Sequence, residues 1–386
     1  MKKVIVIGSG LSGLSFANHL DKTKYSLEIF EKNSTPGGRV RSEKIDGFTC
    51  DIGFQVLLNN YNEVKKLNIY NDLKLKYFNS GAEIYNENGN LKLYNPIHHP
   101  IAFIKSNIFN IFTFKDILKL LLLFFKARKR GTVGELFKKK FSGKSQNLFL
   151  NPFFKGIFLS KDLKNDTIFF HKIFKKFALG KASIPSKGMH TFPKKIIENL
   201  DLKINYNSEL TGIEDNIAVF NNDRKHQFDI LVLAVPMHNI NKIINTDIKM
   251  TYNENKTIYI SSTKNVLEKS ILLVPNEKFK TNSIQCLSNV SKSYSNKGIN
   301  LYSLSSLYAD ASDSELIEEF KKITGIKGDD LNLIKSYCLK EALPEKIITI
   351  NSQKNIFYCG DWNQEPSIDG ALKSGRLLAE NMNSSF

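Results

Sequence analysis

The chain opens on an unbroken apolar run, Val4-Ile-Val-Ile7, the pattern of a short strand buried on both faces. Glycines follow at Gly8, Gly10 and Gly13, and then Leu14, Phe16, Ala17 and Leu20 fall at helical spacing. Tyr25 to Phe30 reads as a second strand ending at Glu31, so the pattern predicts a βαβ start. From about Ile101 to Ala182 the spacing turns helical. Phe114 to Arg130 has a broad apolar face with Lys and Arg opposite, and another helix is predicted over Asp166 to Leu179. Strands return at Leu202 to Tyr206, Ile217 to Phe220 and Ile230 to Val235, the last stopping at Pro236. From about 247 to 345, strand-like segments (Ile258 to Ser261, Ile271 to Val274, Leu301 to Leu307) alternate with one helix, Ser312 to Thr324, for which Asp313 and Ser314 are the cap candidates. The chain closes on a strand, Ile356 to Cys359, a turn, and a helix from about Gly370.

Segments of the nucleotide-fold kind thus appear at both ends and in the middle. The predicted class is α/β: a discontinuous Rossmann-like domain of residues 1–75, 183–246 and 352–386, with an α+β substrate domain of 76–182 and 247–351 inserted twice. A chain of 386 residues is too long for one ordinary core, which agrees with two domains. No run approaches the roughly 20 apolar residues that span a bilayer. Lys2 and Lys3 precede Val4 to Ile7, but that run passes into glycines with no small-residue cleavage site, so the expected address is the cytoplasm. Cys50, Cys286, Cys338 and Cys359 are far apart and form no Cys-x-x-Cys pair; they read as reduced thiols, with neither a disulfide framework nor a metal site.

Charge changes the picture. The net charge is +17, and between Ile101 and Gly180 there are 17 Lys or Arg against 4 Asp or Glu, so this one segment carries most of the surplus. It also holds 16 of the 28 phenylalanines. A basic, aromatic-rich stretch suits peripheral contact with the inner face of an anionic membrane, or an oily substrate. The plainer reading is that most of these phenylalanines are the insert's own core. Nucleic acid is not an expected partner, because no RNA- or DNA-binding motif accompanies the charge.

The candidate chemistry lies at the termini. Gly8-Ser9-Gly10-Leu11-Ser12-Gly13 is a G-x-G-x-x-G run between a strand and a helix. Gly8 allows the tight turn, Gly10 lets backbone approach a pyrophosphate, and Gly13 lets the helix pack on the strand. The phosphates would meet free N–H groups at the helix start. Glu31, with Lys32 beside it, ends the second strand 18 residues after Gly13, where a carboxylate accepts from a ribose diol. Pro36-Gly-Gly38-Arg39-Val-Arg41 is a second close-approach loop carrying positive charge, and Arg39 is placed to neutralise a pyrophosphate or clamp a ribose.

With these motifs the sequence resembles the FAD-dependent superfamily of amine oxidases, protoporphyrinogen oxidases and carotenoid desaturases. Gly37-Gly38-Arg39 is similar to the superfamily's Gly-Gly-Arg loop. Tyr358-Cys-Gly360-Asp361-Trp362, continuing to Gly370-Ala371, is similar to its second FAD motif. The resemblance implies a non-covalent FAD, with Gly360 and Asp361 at the ribityl and pyrophosphate region, and N–H groups near Ile368 to Ala371 toward the flavin or the phosphate. Leu210, after Asn207-Ser-Glu, would present its backbone to the adenine. Trp362 directly after Gly-Asp looks like the Gly-Asp-Trp-Thr of carotene and squalene-associated desaturases, with Asn363 in place of Thr. Asp51-Ile-Gly53-Phe54-Gln55 resembles a run of the same branch and would put Gly53, Phe54 and Gln55 near the isoalloxazine.

The resemblance therefore implies a desaturase or dehydrogenase passing hydride from a hydrophobic, polyisoprenoid-like substrate to flavin N5, with oxygen or a quinone as acceptor. A porphyrinogen or amine oxidase using oxygen, a flavin-dependent isomerase, and a non-catalytic membrane-bound flavoprotein remain as alternatives. No catalytic residue is assigned. His98, His99, His171 and His190 are candidate acid–base groups, each more often a surface or satisfied histidine.

Overall fold

A computed structural model describes residues 1–125, 130–200, 202–275 and 278–385. Five parallel strands form a sheet in the order Ile204–Asn205, Tyr25–Phe30, Lys2–Ile7, Ile230–Leu233, Ile356–Tyr358. Val4, Ile5 and Val6 are fully buried at its centre, which is why that strand shows no polar alternation. The helix Leu11–His19 packs against the last helix, Ile368–Ser385. A β-carbon on Gly375 would stand 2.0 Å from the Ser12 carbonyl oxygen, an approach that only glycine permits. Ser15 Oγ donates to the Leu372 carbonyl at 2.7 Å and Tyr25 OH to that of Met382 at 3.0 Å, fastening the C-terminus to the first unit. This open parallel sheet with its strand–turn–helix start is Rossmann-like, and the chain as a whole is α/β.

A second sheet has seven strands, in the order Asn332–Pro344, Tyr252–Ser262, Asn300–Ser306, Thr281–Cys286, Ile271–Leu273, Gly81–Ile84, Leu91–Tyr94. Its two faces differ in chemistry because side chains alternate along each strand. Ile258, Leu304 and Ile284 turn toward the helix Asp313–Thr324, against Leu316 and Phe320. Thr257, Ser305 and Ser283, which pair across the neighbouring strands, share the opposite face. Short helices between residues 100 and 179 cover the rest. Their core is aromatic, with the Phe154 and Phe170 ring centroids 4.8 Å apart and Phe137 beside them. Of the sixteen phenylalanines in this segment only Phe109, Phe114 and Phe125 are exposed, so packing explains the other thirteen.

Several expected bounds shift. The helix expected to reach Arg130 is described over Phe114–Phe125, and residues 126–129 lie outside the described residues. The strand expected over Leu202 to Tyr206 is only Ile204–Asn205. Ser312, not Asp313 or Ser314, caps the helix Asp313–Thr324: its Oγ accepts from Glu315 N at 3.1 Å. The Asp313 carboxylate is instead taken by Lys256 and Ser336. The last helix starts at Ile368, two residues before Gly370. Leu57–Leu58 and Lys76–Tyr77 both pair with Ala182–Ile184, so a small sheet ties the chain together across the expected boundaries near 75 and 182. Among the described residues no helix is long and apolar enough to cross a membrane, and no cluster of side chains could hold a metal ion.

Candidate functional site

The carboxyl ends of the parallel strands open into a cavity of about 810 Å³. The inserted helices Asn151–Phe158 and Thr167–Leu179 and the polar face of the seven-stranded sheet close its far side. Ligands gather at strand ends of this kind because helix N-termini and loop N–H groups converge there.

The first glycine turn builds the near wall. Gly8 has φ +102°, and a β-carbon there would meet the Ala234 carbonyl oxygen at 2.7 Å. A β-carbon on Gly10 would meet nothing within 4 Å: it would project into the cavity. The helix Leu11–His19 begins at this point with no side chain capping its first N–H groups. The Gly-Gly loop folds over the turn. Gly37 N donates to the Ser9 carbonyl at 2.9 Å, and Gly38 (φ +58°) lies against Gly10. An uncapped helix start beside glycine backbone fits a pyrophosphate.

Glu31 borders the same wall with both oxygens held. Oε2 accepts from Ser9 N at 2.9 Å and Ser9 Oγ at 2.8 Å; Oε1 accepts from Asn33 N at 3.0 Å and its Nδ2 at 2.7 Å. A ribose diol would meet a carboxylate already fixed in place.

Arg39 reaches across the cavity to the other end of the chain. Its Nη2 lies 2.7 Å from Asp361 Oδ1, and its Nη1 donates to the Ala342 carbonyl at 2.9 Å. Burial works against the guanidinium charge, but the Asp361 carboxylate outweighs it and raises the Arg39 pKa. The side chain's remaining exposure faces the cavity. Gln55 supports the loop: its Nε2 donates to the carbonyls of Arg39 (2.7 Å) and Ile52 (3.1 Å), so its amide N–H groups serve the backbone. Gly53 (φ +78°) and Phe54 complete this side, with Phe54 N donating to Thr257 Oγ1 at 3.4 Å.

Of the residues singled out from sequence, Gly8, Gly10, Leu11, Ser12, Glu31, Lys32, Gly38, Arg39, Gly53, Phe54, Gln55, Leu210, Gly360, Asp361, Ile368 and Ala371 border the cavity. Two do not. Ser9 is buried behind the turn as a donor to Glu31. Gly13 faces the Gly8 carbonyl oxygen, which a β-carbon would approach to 2.2 Å. Both shape the wall from behind. At the last helix, Ser367 takes two of the N–H groups expected to serve a ligand. Its Oγ accepts from Gly370 N and its carbonyl from Ala371 N, each at 2.9 Å. Trp362 is a buried pin whose Nε1 donates to the Val235 carbonyl at 3.2 Å.

None of His98, His99, His171 and His190 borders the cavity. His98 meets the Gly180 carbonyl at 3.2 Å and His171 that of Leu123 at 2.9 Å, while His99 lies edge-on to Tyr94. His190 N donates to Ser42 Oγ at 3.0 Å, and burial lowers the pKa of its ring to about 4. The histidine that does line the cavity is His238, whose Nδ1 lies 2.6 Å from Glu341 Oε1. Sequence reasoning passed over it. The available signal was its place just past the end of the strand Ile230–Leu233, where the parallel sheet presents its ligand edge. Glu341 carried no local signal, since it borders the site only because the long strand Asn332–Pro344 ends there.

Residues 11–314 match the family model of the flavin containing amine oxidoreductases. Over 53 residues the chain is 43% identical to a 1-hydroxycarotenoid 3,4-desaturase of Flavobacterium sp. (strain P99-3), covering 14% of this chain and 11% of that protein. Over 57 residues it is 37% identical to the zeta-carotene-forming phytoene desaturase of Myxococcus xanthus, covering 15% and 11%. These matches therefore span about a tenth of each relative's length. Among solved structures, an oxidoreductase from Methanosarcina mazei superposes with a TM-score of 0.76 at 16% identity, over 98% of this chain and 100% of that one. A reduced UDP-galactopyranose mutase does so with a TM-score of 0.73 at 17% identity, over 100% and 94%. Identities this low show a shared fold. With the family model covering most of its length, the chain belongs to the flavin containing amine oxidoreductase family, a group of flavin-dependent oxidoreductases.

Proposed function

We propose that the protein holds FAD non-covalently and oxidises an uncharged, largely apolar molecule, as a desaturase or dehydrogenase does. The observation that carries this reading is the makeup of the cavity's far side. The inserted helices contribute Phe153, Ile157, Phe158, Phe169, Ile173 and Phe177, and the strands opposite contribute Asn255, Asn282, Ser283 and Ser305. None of these is charged. A protonated amine would find no carboxylate among them, and Glu341 at the end of the same sheet's edge strand is already taken by His238, which weighs against amine oxidation.

Gly10, the open start of the helix Leu11–His19, Glu31, Arg39 and Asp361 would hold the cofactor's pyrophosphate and ribose. Bound flavin supplies a two-electron acceptor for hydride from carbon, with no metal or activated nucleophile needed. No cysteine borders the cavity, and its one histidine, His238, is paired with Glu341, which supports a non-covalent cofactor. The aromatic wall excludes water and packs an apolar body. Asn255 bonds Ser306 and Thr257, and Ser283 takes the Gln285 amide, so Asn282 and Ser305 are the groups that suit one uncharged hydroxyl or carbonyl on that body, which a pure hydrocarbon would not supply. The name of the Flavobacterium relative, a desaturase of a hydroxylated carotenoid, points the same way.

The test is anaerobic mixing of the flavin-loaded protein with a linear isoprenoid alcohol and with the matching hydrocarbon, following bleaching of the flavin absorbance. Bleaching by the alcohol supports the reading. Hydrogen peroxide formed from amines or porphyrinogens, with no bleaching by either isoprenoid, would replace it with an oxidase reading.

A further inference from the structure

The helix Phe114–Phe125 has two apolar faces, and only one of them is packed. Its inner side turns Leu123, Phe124 and the buried Asp116 into the insert. Its outer side exposes Phe114 (75%), Leu118, Leu121, Leu122 and Phe125 (72%). These five recur at spacings of four, three, one and three, which is a single stripe of an α-helix. The two short helices before it add exposed Ile101, Ile104 and Phe109. A helix apolar all round belongs either inside a protein or against lipid. An exposed apolar patch of this kind marks an interaction surface.

The charges around the stripe identify its partner. Residues 97–130 contain one acidic side chain, Asp116, and it is turned inward. Burial works against its charge, but hydrogen bonds from Ser142 and Thr113 outweigh that and hold its pKa down at about 2. Beside the apolar stripe stand Lys105 and Lys115, both exposed, and Lys144, whose Nζ donates to the Phe109 carbonyl at 3.0 Å. A second copy of this chain would bring the same uncompensated positive charge to the interface, so self-association on this face is disfavoured. We infer that the stripe is a docking surface for an anionic lipid bilayer: the aromatic and leucine side chains enter the acyl boundary and the lysines meet the headgroups.

The surface also stands close to the cavity. The helix Thr167–Leu179 lines the cavity with Phe169, Ile173 and Phe177. Its other side meets the docking helix: His171 reaches the Leu123 carbonyl at 2.9 Å, and Lys175 lies over the Phe124 ring at 5.6 Å. One helix, about 10 Å across, separates bilayer from cavity. That is a short path for a molecule that dissolves in lipid.

The inference goes beyond the oxidoreductase reading and does not need it, because vesicle binding requires no turnover. The experiment is cosedimentation of the flavin-loaded full chain with vesicles of phosphatidylcholine alone and of phosphatidylcholine with phosphatidylglycerol, beside light scattering of the protein alone. Binding to the anionic vesicles is expected to exceed binding to the neutral ones by about tenfold or more and to weaken with salt. Phe114→Ser with Phe125→Ser, and separately Lys105→Glu with Lys115→Glu, should each lower it by about tenfold. All four positions are exposed, so the variants should keep the wild-type melting temperature and flavin content. No binding to either vesicle, equal binding to both, or variants whose one effect is to dissociate a dimer would overturn the inference. Vesicle binding together with no flavin bleaching by the isoprenoid alcohol or the hydrocarbon would sink the proposed function and leave the docking surface standing.

Discussion

The Arg39 guanidinium meets the Asp361 carboxylate at 2.7 Å although 322 residues separate them in the chain. Asp361 is almost fully enclosed, while Arg39 keeps one side on the cavity. The pair therefore joins the two ends of the chain at the place where an anionic cofactor would lie, and Arg39 can serve both partners at once.

Replacing Arg39 with Ala strands a buried carboxylate beside the cofactor site. FAD affinity is expected to fall by about tenfold or more, with a loss of folding stability of about 1–3 kcal/mol. Titration of the apoprotein with FAD, and its melting curve, report the two effects. Asp361→Asn in the same background should cost less than the sum of the single changes, since it removes the stranded charge.

Gly10 and Gly13 lie three residues apart and should respond in opposite ways. Gly10→Val puts its side chain into empty cavity, so the apoprotein should melt normally while flavin retention is lost. Gly13→Val drives a side chain into the Gly8 carbonyl, and the fold itself should lose about 1–3 kcal/mol or more. Melting curves beside flavin absorbance separate the two. Equal flavin retention in Gly10→Val and wild type would remove the pyrophosphate from this turn.

Glu31→Ala should weaken flavin retention and also leave the buried Ser9 N–H without its acceptor, at a cost of about 1–3 kcal/mol. Glu31→Gln keeps an acceptor for Ser9 but not the charge. It should recover much of the stability and less of the FAD affinity. Unchanged FAD binding in both variants would count against a ribose role.

Asp51 and His190 predict opposite pH dependences over one range. Burial pushes Asp51 from its ordinary 3.8 up to about 6, opposed by hydrogen bonds from Ser42, Met189 and Tyr294. Between those values the folded state holds a proton that the unfolded chain has lost. Stability from this group therefore falls as pH rises from about 4 to 6, by on the order of 3 kcal/mol. His190 is pushed down from 6.5 to about 4, first by burial and then by Lys194 and Lys44. Its contribution is present above 6.5 and is lost as pH falls toward 4. Stability curves of Asp51→Asn and His190→Gln, each subtracted from wild type, should slope in opposite directions through this window.

Asn282→Leu removes one amide from the polar wall and leaves the aromatic wall intact. Binding of an isoprenoid alcohol should weaken by about tenfold while binding of the hydrocarbon holds or improves. Parallel losses for both ligands would mean that Asn282 shapes the cavity without reading a polar group.

Local features of the sequence determined a good deal. Val4 to Ile7, the glycine turn, the helix behind it and Glu31 lie within thirty residues, and each owes its form to neighbours a few positions away. An apolar run makes a buried strand, glycine permits the positive φ at Gly8, and three- and four-residue spacing makes the helix face. The Gly360-Asp361 turn was legible for the same reason, at the end of a short strand before a helix.

Tertiary structure decided the rest. The 101–180 segment showed an excess of lysine and phenylalanine, but composition does not say which side chains face in. Packing buried thirteen phenylalanines at least in part and left Phe109, Phe114 and Phe125 outside. The polar face of the seven-stranded sheet arises only when strands from 252–262, 281–286 and 300–306 come into register. His238 and Glu341 look unremarked in the chain until the end of a long strand brings them to 2.6 Å. Short-range sterics and periodicity act between neighbours and can be read from them. Long-range pairings depend on how whole elements pack, so the glycine turn was visible in the sequence, while the cavity's far walls were not.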